Sequence, residues 1–293
     1  MGEKTIYKGK TGRKTIQDHY ENYLHTLPFE VERNYVDTSY GRTHMLMAGP
    51  KDGKPLFILQ GGNCINPMTL SWFSPLANQY RIYAPDTIGH PGYSDQTRIS
   101  ATDHSFAQWV QELMDHMGLN KCAFIGPSYG AGITLRLAAY MPERIDCAVL
   151  VSPSGLKLGS KLNMIKQIVL PMLLFLATSS DKHLSKIANR MSANTMKEMD
   201  KQIIGDIFKH TKLEQEMPKL TEKKELLAYQ QPTLIISGNE DVFFPEHLIK
   251  QAAHEVIPNL TDFKSYDMGH FPSEEHFIHI NEDIRLFLHT YYK

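Results

Sequence analysis

A chain of 293 residues, 42% hydrophobic and 22% charged, has the composition of a soluble globular protein with room for one large α/β core or two smaller ones. Its formal net charge of -1 gives no overall pull toward nucleic acid or anionic membrane, so the expected partner is a small molecule, with neither of those surfaces involved. Three cysteines, Cys64, Cys122 and Cys147, form no CxxC pair and are too few for a disulfide framework.

In chain order, the first residues, Met-Gly-Glu-Lys-Thr-Ile-Tyr-Lys, lack the apolar stretch of a secretory signal, which makes the cytoplasm the expected compartment. Lys4, Lys8, Lys10, Arg13 and Lys14 read as a solvated, frayed end of a polar, mildly helical extension over residues 1–28. From Phe29 the pattern alternates, with Val31, Tyr35 and Val36 in one strand and Thr43 to Ala48 in a second, an antiparallel hairpin entry. Short apolar runs follow at Leu56–Leu59, Tyr80–Ala84, Cys122–Ile125 and Cys147–Val151, the pattern of strands buried on both faces of a parallel sheet. Helical spacing between them, at Phe106–Met117 and Ile133–Met141, supplies crossovers.

About 75 residues then separate Val151 from the next strand, Pro232–Ser237, far more than a crossover needs. This helix-biased insert, residues 156–230, holds Met164, Met172, Met191, Met196, Met199 and Met217. Adaptable thioethers suit a lid over an apolar pocket, or equally the small core of a helical subdomain. Its most apolar run, Ile168–Ala177, is about half a bilayer span and contains Pro171, so a buried or site-covering helix is expected. The chain closes with a helix near Pro245–Val256, a strand near Phe263–Tyr266 and a helix from about Ser273 to Tyr291.

Gly126-Pro-Ser-Tyr-Gly130 lies between a predicted strand and a predicted helix, a G-x-S-x-G turn that pushes Ser128 out above the sheet edge. A serine hydroxyl needs a base, itself oriented by an acid. Asp241 stands just past the strand ending at Ser237, and His270 just past the last strand, both where ligands gather in open α/β sheets. Glu240 and Asp267 are competing acids, while Asp146 begins a strand and falls at the opposite edge. Two backbone N–H groups suffice for the oxyanion: Tyr129, following the nucleophile, and Gly62 of the Gln60-Gly61-Gly62-Asn63 loop, with Asn63 as the other candidate. His276 and His279, at i and i+3, read as a solvated helix face rather than a metal site.

Taken together, these residues resemble the α/β-hydrolase family from about Tyr35 to Tyr291. Asp86-Thr-Ile-Gly-His-Pro-Gly-Tyr-Ser94 is similar to that family's D-x-x-G-x-G-x-S stretch, with one extra residue between the glycines. Tyr40-Gly-Arg-Thr-His44 and Met141-Pro-Glu-Arg144 look most like bacterial carboxylesterases of the naproxen-ester-hydrolysing type. The resemblance implies an α/β fold with a mostly parallel eight-stranded sheet, its core formed by residues 29–155 and 231–293, and a helical cap at 156–230 after the sixth strand. It also implies hydrolysis of small carboxylic esters by Ser128, His270 and Asp241, without metal or other cofactor. Gln60 stands where the family usually has histidine, so a different loop shape is expected. C–C bond hydrolases, perhydrolases and aminopeptidases share such a triad, and a slow or non-catalytic ligand sensor would keep the same pocket.

Overall fold

The computed structural model describes residues 5–293. Its centre is an eight-stranded sheet in the order β1-β2-β4-β3-β5-β6-β7-β8, whose strands are β1 Val31–Thr38, β2 Gly41–Ala48, β3 Lys54–Ile58, β4 Tyr80–Pro85, β5 Cys122–Pro127, β6 Ile145–Val151, β7 Thr233–Gly238 and β8 Leu260–Tyr266. The β1–β2 and β2–β4 pairs are antiparallel and all others parallel, as the hairpin entry and the later apolar runs predict. Period-two alternation divides the core between the two faces. Leu56, Ile58, Ala123, Ile125, Val149 and Val151 pack on one, Phe57, Phe124, Ala148 and Leu150 on the other. Each of these side chains is essentially sealed from water, worth about 1.5–3 kcal/mol for the larger ones.

Helices α3 (Ser105–His116), α4 (Tyr129–Tyr140), α9 (Glu246–Val256) and α10 (Glu274–Tyr291) lie close to their predicted spans. A short α2, Asn66–Ser71, was hidden by its six-residue length. The chain turns one way from β3 to β4 and the other way to β5, so the crevice between β3 and β5 is a topological switch point.

The insert after β6 carries a helix over Lys161–Thr178, followed by α7 Asp181–Ser192 and α8 Glu198–His210. The first is α5 (Lys161–Met164) and α6 (Leu170–Thr178) joined by a π-turn, Ile165–Val169. Phe175, Leu184, Ile187, Met191, Ile204 and Phe208 form its core, and Met172 and Met196 pack against it. Of the two expectations for the apolar run, it is the site-covering one that fits: Ile168, Val169 and Met172 line the cavity over Ser128, while the run as a whole is not buried. Leu170, Leu173, Leu174 and Leu176 are all exposed.

In the N-terminal segment Lys8, Lys10, Arg13 and Lys14 are solvated as expected, but the end is not frayed. Lys4 lies outside the described residues, but from Thr5 onward the segment is pinned. Ile6 and Tyr7 are buried, Tyr7 forms a bridge with Thr211, and Lys8 N–H donates to His210 O at 2.7 Å. Apolar Ile6 and Tyr7, set among the basic residues, carry the segment inward. Helix α1, Lys10–Leu24, then spans core and insert: Tyr20 Oη donates to Asp86 at 2.7 Å, while Tyr23 Oη donates to Asp200 and His19 contacts Asp206, both on α8.

Residues 211–226 return the chain to the sheet, and a buried ion pair anchors them. The fully buried Arg136 of α4 donates to Glu225 Oε1 at 3.0 Å and to Thr221 Oγ1 at 2.7 Å. Burial pushes the Glu225 carboxyl up, but hydrogen bonds from Arg136, the Glu222 backbone and Lys219 outweigh it and bring it from 4.5 down to about 2. A depressed carboxylate stabilises the fold above its unfolded value, and that stability drains away as pH falls toward the folded one. Acidification from about pH 5 to about pH 2.5 should therefore lower the urea midpoint of the wild type more than that of Glu225→Gln. Equal acid sensitivity of the two proteins would remove the ion pair from this role.

Candidate active site

The loops after β3, β5, β7 and β8 open at one sheet edge, where they bring Gly62, Ser128, Asp241 and His270 together. Ser128 links β5 to α4 with φ 51° and ψ -113°, a left-handed conformation that a non-glycine residue adopts at a cost of about 1–3 kcal/mol. Hydrogen bonds hold it there: its N–H donates to Val151 O at 2.9 Å, and its carbonyl accepts from Ser154 N, Ser154 Oγ and the first turn of α4. The flanking glycines are required by close approach. A Cβ on Gly126 would stand 2.4 Å from the Gly130 carbonyl carbon, and one on Gly130 would stand 2.4 Å from Leu59 O.

His270 Nδ1 and Asp241 Oδ2 are 2.8 Å apart, with both residues buried. Asp241 Oδ1 accepts from the backbone N–H groups of Phe243 and Phe244, which fixes the carboxylate. Glu240 and Asp267 are exposed, and of the three candidate acids Asp241 is the one bonded to His270. Asp146 pairs with Lys121 at the other end of the sheet. The rings of Phe243, Phe244 and Phe271 surround the imidazole at 5.0, 5.5 and 5.8 Å between centroids. Among the described residues no hydrogen bond joins Ser128 Oγ to His270; such contacts often tighten only with substrate bound.

Gly62 packs on Tyr129, whose ring would lie 3.2 Å from a Cβ placed there, so the two expected oxyanion donors are neighbours. The Tyr129 N–H opens α4 and has no partner within the helix. Asn63, at φ 49°, faces the insert: its Nδ2 donates to Glu214 O at 3.0 Å, and Glu214 N–H donates back to Oδ1 at 2.7 Å. His276 is occupied in the N-terminal cap of α10 with Ser273.

Gln60 is fully buried and braces the loop. Its Oε1 accepts from Thr87 N at 2.7 Å, and its Nε2 donates to Cys64 O at 2.5 Å and to Pro91 O at 3.2 Å. Pro91 belongs to the lengthened Gly89-His90-Pro91-Gly92 turn, so the two departures from the family pattern are hydrogen-bond partners. His90 packs 4.7 Å from the Tyr129 ring. Burial first, then the Arg98 charge, lowers it to about 3, so it stays neutral and takes no proton near pH 7. Sequence reasoning missed what Asp86 does. Its carboxylate accepts from Tyr20 Oη, Tyr93 N and His44 Nδ1, while Ser94 Oγ donates to its carbonyl and accepts from His44 N. The Asp86–Ser94 and Tyr40–His44 motifs are thus one buried structural network.

A cavity of about 340 Å³ lies over Ser128, Tyr129, Gly62 and His270. Its other wall comes from the insert, including Met172, Met191 and Met217, three of the six methionines expected there. Cys64 also lines it, but burial pushes its thiol up to about 12, leaving it protonated.

A family profile described as alpha/beta hydrolase fold matches residues 54–173. The chain has the α/β-hydrolase fold. It is 26% identical over 277 residues to the carboxylesterase YbfK of Bacillus subtilis, covering 92% of each chain. It is 25% identical over 290 residues to the uncharacterized carboxylesterase nap of the same organism, covering 93% of this chain and 92% of that one. The crystal structure of naproxen esterase from Bacillus subtilis superposes with a TM-score of 0.81 at 24% identity, over 96% of this chain and 99% of the other.

Replacing Gln60 with alanine strands the Thr87 N–H and the Cys64 carbonyl in a dry site. Gln60→Ala should lower unfolding free energy by about 2 kcal/mol or more, measured by urea denaturation. A change within error would show that the loop does not depend on this amide.

Proposed function

We propose that this α/β-hydrolase, a carboxylic ester hydrolase, cleaves small esters through an acyl-enzyme on Ser128. The observation that carries the reading is the His270–Asp241 contact at 2.8 Å, sharing one cavity with a serine held on a strained turn. With Nδ1 engaged by Asp241, the other ring nitrogen of His270 is left to take the Ser128 proton as Oγ attacks the carbonyl carbon. The imidazolium then returns that proton to the departing alcohol, and water deacylates the serine by the same route. Asp241 holds the tautomer and stabilises the imidazolium. It is itself fixed by two backbone N–H groups, so its orientation costs nothing at the moment of reaction.

The oxyanion is received by the N–H groups of Tyr129 and Gly62, the first reinforced by the N-terminus of α4. Apolar walls from Trp72, Met172, Met191, Phe208 and Phe271 favour an apolar acyl group and offer few partners to a charged one.

Ser128→Ala should lower turnover of a short p-nitrophenyl ester by roughly 10⁴-fold or more with an unchanged unfolding midpoint. Asp241→Asn, which presents the wrong tautomer to the serine, should lose about 10⁴-fold in kcat. A fluorophosphonate probe should label Ser128 in the wild type. Undiminished turnover in Ser128→Ala sinks the mechanism, and labelling without turnover across an ester panel supports a ligand sensor.

A further inference from the structure

The helix Lys161–Thr178 is long and apolar enough, by length and composition, to cross a bilayer, yet it is packed on one side only. Ile168 and Phe175 point into the insert's core, and Ile168, Val169 and Met172 line the cavity. The remaining face presents Leu162, Ile165, Leu170, Leu173, Leu174 and Leu176, each between 38% and 69% exposed. Scattered exposed leucines are ordinary; six large apolar side chains contiguous on one helix are not.

We propose that this face docks the protein on an anionic lipid surface, with the helix lying in the plane of the interface. Three observations choose the occupant. First, the segment that carries the helix is basic in a chain that is nearly neutral overall, with Glu240 the exposed acid beside its Asn163 and Gln167. Residues 156–190 carry Lys157, Lys161, Lys166, Lys182, Lys186 and Arg190, all exposed, against the single acid Asp181, which Lys201 already holds at 2.9 Å. Basic residues flanking an apolar helix face are the arrangement that anionic headgroups attract. Second, a spanning orientation is closed off. Phe175 and Ile168 are committed to the insert's core, and Lys166 sits in the middle of the exposed face. Third, the helix is a wall of the cavity, so a docked lipid surface lies one helix thickness, about 10 Å, from the pocket. A second copy of the chain fits less well, because a two-fold contact through this helix would bring the same basic residues against each other.

On this proposal the neutral total conceals a basic, apolar patch. Docking does not depend on the ester reading and is tested apart from it. Wild type and Ser128→Ala are sedimented with vesicles of phosphatidylcholine alone, or with about one-third phosphatidylglycerol. Both proteins should bind the anionic vesicles, and binding should weaken in high salt. Leu170→Glu/Leu173→Glu, which changes no cavity-lining residue, should reduce binding roughly tenfold or more while leaving turnover of a soluble ester intact. Lys161→Glu/Lys166→Glu should also reduce it, and on the anionic vesicles only. Absence of binding to anionic vesicles overturns the proposal, as does binding unaffected by the leucine substitutions. A wild-type dimer that those substitutions render monomeric, with no vesicle binding, overturns it in favour of a second copy.

Discussion

The carbonyl oxygen of Leu59 occupies the place where a side chain on residue 130 would begin, and the rest of the site depends on that contact. It joins the end of β3, which leads into the Gly61-Gly62 loop, to the first turn of α4, which carries Ser128 at its N-terminus. Gly126 makes the matching approach on the strand side. With no Cβ at either position, the two backbones close until Gly62 rests on Tyr129, and both expected donors then face one cavity. The strain at Ser128 persists because five hydrogen bonds to its backbone, from outside and inside the turn, over-determine its conformation.

Much of this was legible in the sequence because local periodicity and tertiary role coincide. The central strands are continuous apolar runs since both faces are covered, and the chemistry-bearing residues fall just past strand ends since that is where the open edge lies. Asp241 could be preferred to Glu240 by position, but only the fold shows why: its second oxygen is held by Phe243 and Phe244. The N-terminal segment was illegible because its charges dominate composition while two residues, Ile6 and Tyr7, determine its place. For a related reason the sequence left the outer helix of the insert open between buried and site-covering. Hydropathy reports how apolar a segment is, not which side of it has a partner.

Gln60 and the lengthened 89–92 turn look like unrelated departures when read along the chain. In the fold they compensate one another. The amide reaches Pro91 and Cys64 with its nitrogen and Thr87 with its oxygen, so three backbone groups of two loops are satisfied by one uncharged side chain. An imidazole there could not donate twice and accept once while remaining neutral. Asp86 plays the corresponding part on the other side of the 86–94 loop, where it collects donors from α1, β2 and the loop itself.

Helix α1 and the five residues before it change how the insert can move. A cap joined to its core only where the chain leaves and re-enters the sheet could swing on two hinges. Here there is a third mount: Tyr7 against Thr211, Lys8 on His210, and Tyr23 on Asp200, while Tyr20 of the same helix is tied to Asp86 beneath the site. Asn63 on Glu214 and Phe271 N–H on Met191 O add further ties. A rigid swing of the insert would have to break these bonds together. The segment from Thr5 to Leu24, far from Ser128 in sequence, thus braces the wall of the cavity against the core beneath it.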